Sequence, residues 1–475
     1  MTIHAVPDPR RWKSLFLLCA AQFIVILDTS IIGIALPAMQ QALGFSAAGL
    51  QWVFNAYVIA FGGLLLLGGR LADLKSPRRI FMAGFLILGI GSVLAGVAWS
   101  AAANITGRAI QGVGAALIAP AALTLVMTAF KDPRELSRAL GFWGASAAAG
   151  GSAGVFLGGV ITHWLDWRWA FLVNVPLVLA VLIASPSVLA RGTKRPGQVD
   201  YLGAFFGTSA LVLAVYAIVG VDAAVRFVLL AVAGALLAAF LYIQKTRRTP
   251  LVPLRIFAAP NLAAGNIVMG LLGAAWIPGW FFLNLYLQQV LGQSPMQSGL
   301  ALLPMTLAIM LLMMTMTGKL VQRFGFKKNL ALGLLFLAVS CFLLAQAPTD
   351  GYYMLHVLPA SLLAALGMSL AYVPATMAGM AGAKPEDGGL ASGLINTSYQ
   401  IGSALGLAAM VAVASAKTAT ALDSGSTTLA ALNTGFHGAL LGASAIAFVA
   451  AVVTVVALRT PQTAQSAQRV DLNAA

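Results

Sequence analysis

The sequence predicts an all-α integral membrane fold of fourteen spanning helices. Three observations carry that expectation. Hydrophobic residues make up 60% of the 475 and charged residues only 9%, against roughly 25% charged in soluble domains. Fourteen apolar segments approach or exceed the roughly 18 residues that a spanning helix requires. Lys and Arg gather at alternate ends of these segments, the distribution that fixes orientation in a bilayer.

In the first segment, 13–36, the stretch from Leu15 to Leu36 holds a single charge, Asp28, about halfway along. A carboxylate at that depth costs roughly 2.5–3.5 kcal/mol on insertion scales. It persists when it faces a polar cavity, carries a proton or meets a partner. The second segment, 50–71, carries Asn55 and Tyr57 and runs into a basic turn from Gly69 to Arg79. Ser76 and Pro77 then read as an N-cap and a first-turn proline for the third, 79–98. The fourth, 103–130, contains Arg108, the basic residue at a depth comparable to Asp28, with Gln111 on its face at i+3. Gly150, Gly154 and Gly158 share one face of the fifth, 137–161. That spacing suits close helix packing and also a hinge.

The sixth segment covers 170–189, and 200–220 and 225–244 follow between linkers rich in Pro, Lys and Arg. On the ninth, 262–290, Trp280, Asn284 and Gln288 stand at i, i+4 and i+8 and so share a face. Met305, Met310, Met313, Met314 and Met316 lie on or near the tenth, 299–321; methionine suits irregular packing and adaptable pockets alike. The eleventh and twelfth cover 328–346 and 353–380. The thirteenth, 389–416, presents Asn396 and Gln400 with Tyr399 beside them, and 437–458 completes the set. The amides either staple helices together, at roughly 0.6 kcal/mol each, or line a pocket.

The net charge of +15 is topological. Numbered from an N-terminus carrying Arg10, Arg11 and Lys13, one side of the membrane collects 24 of the 28 Lys and Arg. The other side keeps Arg168, Arg226 and Lys417, while Arg108 is embedded. This predicts cytoplasmic termini and argues against nucleic-acid binding. Cys19 and Cys341 lie in apolar segments with no His or Cys nearby, so inert thiols are expected rather than a metal site. His4, His163, His356 and His437 are scattered without paired acids, which speaks against a membrane enzyme. No signal-peptidase pattern follows the first segment, so it reads as a retained helix.

An internal repeat is visible. The stretch Gly69–Arg79 is echoed by Gly318–Lys328, 249 residues on, and the first and ninth segments begin at the same offset. The expected organisation is a six-helix bundle over 13–189, two inserted helices with linkers over 190–261, a second six-helix bundle over 262–458, and a tail from 459 to 475. Parallel six-helix repeats enclosing a midplane site are a transporter architecture.

Four motifs then carry a family resemblance. Leu27-Asp28-Thr29-Ser30 with Ala35-Leu36-Pro37, Arg108 with Gln111-Gly112 and Gly114, Trp167 through Asn174 to Pro176, and Gly69 to Arg79 occur in that family's order. Together they resemble the fourteen-helix drug:proton antiporters, the EmrB/QacA type, of the major facilitator superfamily. The resemblance implies proton coupling at Asp28 and Arg108, and a gating loop containing Gly69, Asp73, Arg78 and Arg79. Substrate contacts are expected among Asn55, Tyr57, Gln111, Trp280, Asn284, Gln288, Asn396, Tyr399 and Gln400. It further implies export of small amphipathic molecules in exchange for protons, in the bacterial inner membrane. The working unit is expected to be a monomer, with a periplasmic adaptor in some members. No cofactor is expected, because the proton motive force replaces ATP and no GxxxxGK[ST] loop occurs.

There are departures. Leu74, Ser76 and Pro77 stand where the loop motif has a basic residue, glycine and a basic residue, and the fifth segment keeps Gly154, Gly158 and Gly159 without the family's proline. Proton-linked uptake of a metabolite is therefore the alternative to export. Asp200, Asp222, Asp350, Asp387 and Asp423 are placed at helix ends or in loops. With no second carboxylate at membrane depth, monovalent, neutral or zwitterionic substrates are expected over dications.

Overall fold

A computed structural model describes residues 10–46, 49–130, 132–190, 198–218, 223–258, 261–380 and 388–459. No strand occurs among them. Fourteen helices are long and apolar enough to cross a membrane. The first six are α1 (Arg11–Leu43), α2 (Trp52–Ala72), α3 (Pro77–Gly96), α4 (Ala101–Ala129), α5 (Phe142–Trp164) and α6 (Trp169–Val188). The inserted pair is α7 (Tyr201–Ile218) and α8 (Val225–Thr246). The last six are α9 (Leu262–Val290), α10 (Pro295–Val321), α11 (Arg323–Leu344), α12 (Tyr353–Met380), α13 (Leu390–Asp423) and α14 (Thr428–Ala457). This is a multi-pass membrane protein. Helices are the natural solution, because hydrocarbon offers no partner to an open backbone group.

Boundaries differ from the hydropathy reading where capping, not polarity, ends a helix. α1 passes through Pro37 and stops at Gly44, whose left-handed φ of 66° lets its N–H reach Gln40 O. α14 begins about nine residues earlier than expected because Thr427 caps it, accepting from Ala430 N at 3.4 Å. Ser76 does adopt an extended N-cap conformation with Pro77 at N1, but its side chain makes no cap hydrogen bond.

The chain divides into two compact units. One comprises residues 1–45, 52–201 and 295–300, and the other 46–51, 202–294 and 301–475. The inserted pair thus clusters with the second unit. Its outer surface is apolar: Phe227, Val228 and Tyr242 of α8 are exposed, as befits side chains bathed in lipid.

The repeat has a structural counterpart. Gly325, 249 residues after the N-cap Ser76, kinks the chain near the start of α11 with φ 78°. Within the first unit, a Cβ on Gly84 would lie 2.8 Å from Gly114 O; within the second, one on Gly333 would lie 2.7 Å from Gly367 O. Each half therefore crosses its third and fourth helices at a glycine pair.

Candidate functional site

The site grows from the α3–α4 hairpin. Ser100 caps α4 by accepting from Ala103 N, and Asn104 Nδ2 donates to Ala95 O at 3.0 Å across the turn. Gly91 and Gly107 let the two backbones close up, since a Cβ on either would strike the opposite helix at 2.7 Å or less. Ser92 is thereby set against Gln111, and Arg108 one turn away. Gly112 presses α4 onto the backbone of Tyr57 in α2. The predicted face of Gly150, Gly154 and Gly158 packs on α1, over Phe23, Leu27, Ser30 and Ile31.

Asp28 and Arg108 are both fully buried and paired, Arg108 Nη1 to Asp28 Oδ2 at 2.8 Å. Gln111 Nε2 donates to Asp28 Oδ1 at 2.8 Å and to Ser92 Oγ at 2.8 Å, while its Oε1 accepts from Arg108 Nη1 at 2.8 Å. Ser92 spends its own proton on Leu88 O, so its oxygen must accept. That fixes the orientation of the Gln111 amide. Asn174 Nδ2 makes the closest contact, donating to Asp28 Oδ1 at 2.6 Å. Three donors thus converge on one carboxyl, the set that suits a carboxylate ion.

Arg108 has further support that does not involve Asp28. Its Nε donates to Val53 O at 2.8 Å, and its guanidinium carbon lies 4.4 Å from the centre of the Tyr57 ring. A guanidinium over an aromatic face is a favourable placement for a desolvated cation. Arg108 Nη2, Tyr57 Oη and Asn174 Oδ1 are buried in the same cluster without a hydrogen-bond partner. The groups that sequence reasoning did not assign to the site are Asn174 and Ser92. Asn174 is the only amide in α6 and Ser92 the only hydroxyl in α3, a signal that was present in each segment.

Of the other expected contacts, Asn55 is buried in the first unit. Tyr57 stacks on Arg108 within the charged cluster. In the second unit, Asn284 is buried and donates to Trp280 O at 2.9 Å. Residues Tyr286–Val290 form a π-helical turn, and Gln288 within it is half-buried. Asn396 donates to Ser392 O of its own helix at 3.0 Å, and the Tyr399 ring meets Tyr372 edge-on at 5.6 Å. Gln400 is half-buried beside them. Met305 is buried, whereas Met314 and Met316 are exposed.

The basic turn is tied to the end of α6. Arg78 Nη1 donates to Pro186 O and Leu189 O, each at 3.1 Å. Arg10 reaches Ser187 O at 3.3 Å and Ser14 Oγ reaches Val188 O at 2.8 Å. Two cations and a hydroxyl so cap the carbonyls at the end of α6, where positive charge is favoured. Arg79 is exposed, Gly69 lies against Pro120, and the side chain of Asp73 falls outside the described residues. Asp222 and Asp387 also fall outside them. Asp200 precedes α7, as expected of a helix end, and is buried.

Residues 18–407 match the Major Facilitator Superfamily. The chain is 37% identical over 462 residues to the puromycin resistance protein pur8 of Streptomyces alboniger, covering 95% of this chain and 91% of that one. It is 38% identical over 462 residues to the cephamycin export protein CmcT of Amycolatopsis lactamdurans, covering 94% and 93%. An auto-inhibited POT family peptide transporter superposes with a TM-score of 0.67 at 17% identity, covering 94% and 96%, a likeness of fold alone. The chain belongs to the Major Facilitator Superfamily, and its named relatives are antibiotic resistance and export proteins.

Proposed function

We propose that the protein is a secondary active exporter that exchanges protons for small amphipathic compounds by alternating access. The names of its relatives support export over uptake. The observation that carries the coupling mechanism is the buried Asp28–Arg108 pair with its amide shell. A desolvated carboxylate holds a proton more tightly and one beside a guanidinium less tightly. A site that alternates between those surroundings can load a proton on one side and release it on the other. Arg108 cannot usefully titrate. Its bonds to Val53 O and Gln111 and its stacking on Tyr57 keep its charge supported when Asp28 is neutral.

One proton crossing about 100 mV supplies about 2.3 kcal/mol, and each pH unit adds about 1.36 kcal/mol. A single proton therefore sustains a gradient of roughly a few hundred-fold for a neutral solute, at tenfold per 1.4 kcal/mol. The lysine and arginine distribution supports cytoplasmic termini in a bacterial inner membrane. The unit of function on this reading is the single chain, with or without a periplasmic adaptor.

The test is proton release from energised inverted vesicles on adding puromycin, ethidium or tetraphenylphosphonium, comparing wild type with Asp28→Asn. Substrate-driven proton movement that disappears in Asp28→Asn is the expected result. Movement that persists in the variant makes Asp28 structural. Accumulation of the probe in right-side-out vesicles, driven by the proton gradient, would reverse the direction.

A further inference from the structure

Asp28 faces donors on every side, and that poses a problem for any state in which it is protonated. Its Oδ2 is held by Arg108 Nη1, and its Oδ1 by Gln111 Nε2 and Asn174 Nδ2. A carboxylic acid also needs an acceptor for its O–H, and a buried donor without one is costly. Gln111 cannot supply it, because turning its amide would break its bonds with Arg108 and Ser92. Asn174 can. Its Oδ1 is buried and has no partner, so exchanging oxygen for nitrogen breaks only the bond to Asp28 and replaces it with another.

We propose that Asn174 is a positioning residue whose amide turns over with the protonation of Asp28, donating to the carboxylate and accepting from the carboxylic acid. The proton binds at Oδ1, which is held by two neutral amides, while Oδ2 stays on the guanidinium. Oδ1 keeps a lone pair for Gln111 Nε2 and points its O–H at Asn174 Oδ1. In either state one atom of the Asn174 amide is unpartnered, Oδ1 before the turn and Nδ2 after it, alongside Arg108 Nη2 and Tyr57 Oη. The cluster can therefore load and release a proton without the helices α1, α4 and α6 moving apart. This inference rests on Asp28 being the coupling carboxyl.

The experiment is an infrared titration of the full-length protein in lipid, without substrate, on wild type, Asp28→Asn, Asn174→Leu and Asn174→Gln. In wild type, a carboxyl band that Asp28→Asn removes should rise as pH falls, accompanied by a shifted side-chain amide band sensitive to ¹⁵N-asparagine. Asn174→Leu should lose that amide band and move the carboxyl band toward the position of an unbonded O–H. Its titration midpoint should stay within about half a pH unit of wild type, since both states lose one hydrogen bond of the same kind. Asn174→Gln, which keeps the amide, should restore the amide band.

A merely fixed donor behaves otherwise: only the ionised form loses a bond, so Asn174→Leu would raise the midpoint by about one pH unit or more. That result, or a wild-type titration with no asparagine band, overturns the proposal. The second readout needs no substitution and stands even if Asn174→Leu does not fold. Should Asp28→Asn leave the carboxyl band and puromycin-driven proton release intact, the coupling reading fails as well. If only the asparagine signature is missing, coupling at Asp28 stands and the amide switch alone is wrong.

Discussion

At the scale of single residues, Asp28 and Arg108 depend on each other unequally. Asp28 has no cationic neighbour besides Arg108 within its hydrogen-bonding shell, whereas Arg108 has a carbonyl, an amide and a ring. Removing the guanidinium strands a buried carboxylate, and breaking a buried pair in that way typically costs 3–5 kcal/mol. Arg108→Ala should accordingly unfold at much lower temperature in detergent, with a loss of about 3 kcal/mol or more. Adding Asp28→Asn to it should recover part of that loss. A single variant as stable as wild type would show that the pair is not energetically coupled. Arg108→Lys keeps the charge but not the fork that spans Asp28, Gln111 and Val53, so transport should fall even where folding survives.

At the scale of elements, α1 is seated by the close approach of α5. A Cβ on Gly154 would lie 2.7 Å from Ser30 Cβ and 3.0 Å from Leu27 O, in the turn of α1 that carries Asp28. Gly144, earlier on the helix Pro133–Trp164 that contains α5, has nothing within 4 Å of the same position. Gly154→Ala should therefore push α5 off α1 and lower both stability and transport. Gly144→Ala should be neutral or gain about 0.5–1 kcal/mol from helix propensity. Thermal unfolding and puromycin-driven proton release on the same preparations separate the two. Equal behaviour of both variants would remove the packing argument.

For the molecule as a whole, topology and substrate charge are the properties to check. With Cys19 and Cys341 replaced, a membrane-impermeant thiol reagent should reach Ser424→Cys in intact cells and Arg248→Cys only in inverted vesicles, if the termini are cytoplasmic. The reverse pattern would invert the topology. Monovalent lipophilic cations should drive more proton exchange than their dicationic analogues, because Asp28 is the one carboxylate placed midway along an apolar span. Stronger exchange with the dication would sink that expectation.

The number of spans, the repeat at 249 residues and the pairing candidates Asp28 and Arg108 were legible in the sequence. The physical reason is that the bilayer acts on each residue by its own polarity. An uninterrupted apolar run must be a helix, and a charge within one must have a purpose. Gln111 was legible too, by helical periodicity from Arg108. What only the tertiary structure decided was who meets whom. Asn174 lies 146 residues from Asp28 and reaches it because α4 and α6 both pack on α3, at Gly107 and Gly96. Arg78 caps α6 from 108 residues away. Hydropathy is a property of one residue in a solvent, whereas a hydrogen-bond partner is a property of where two helices cross.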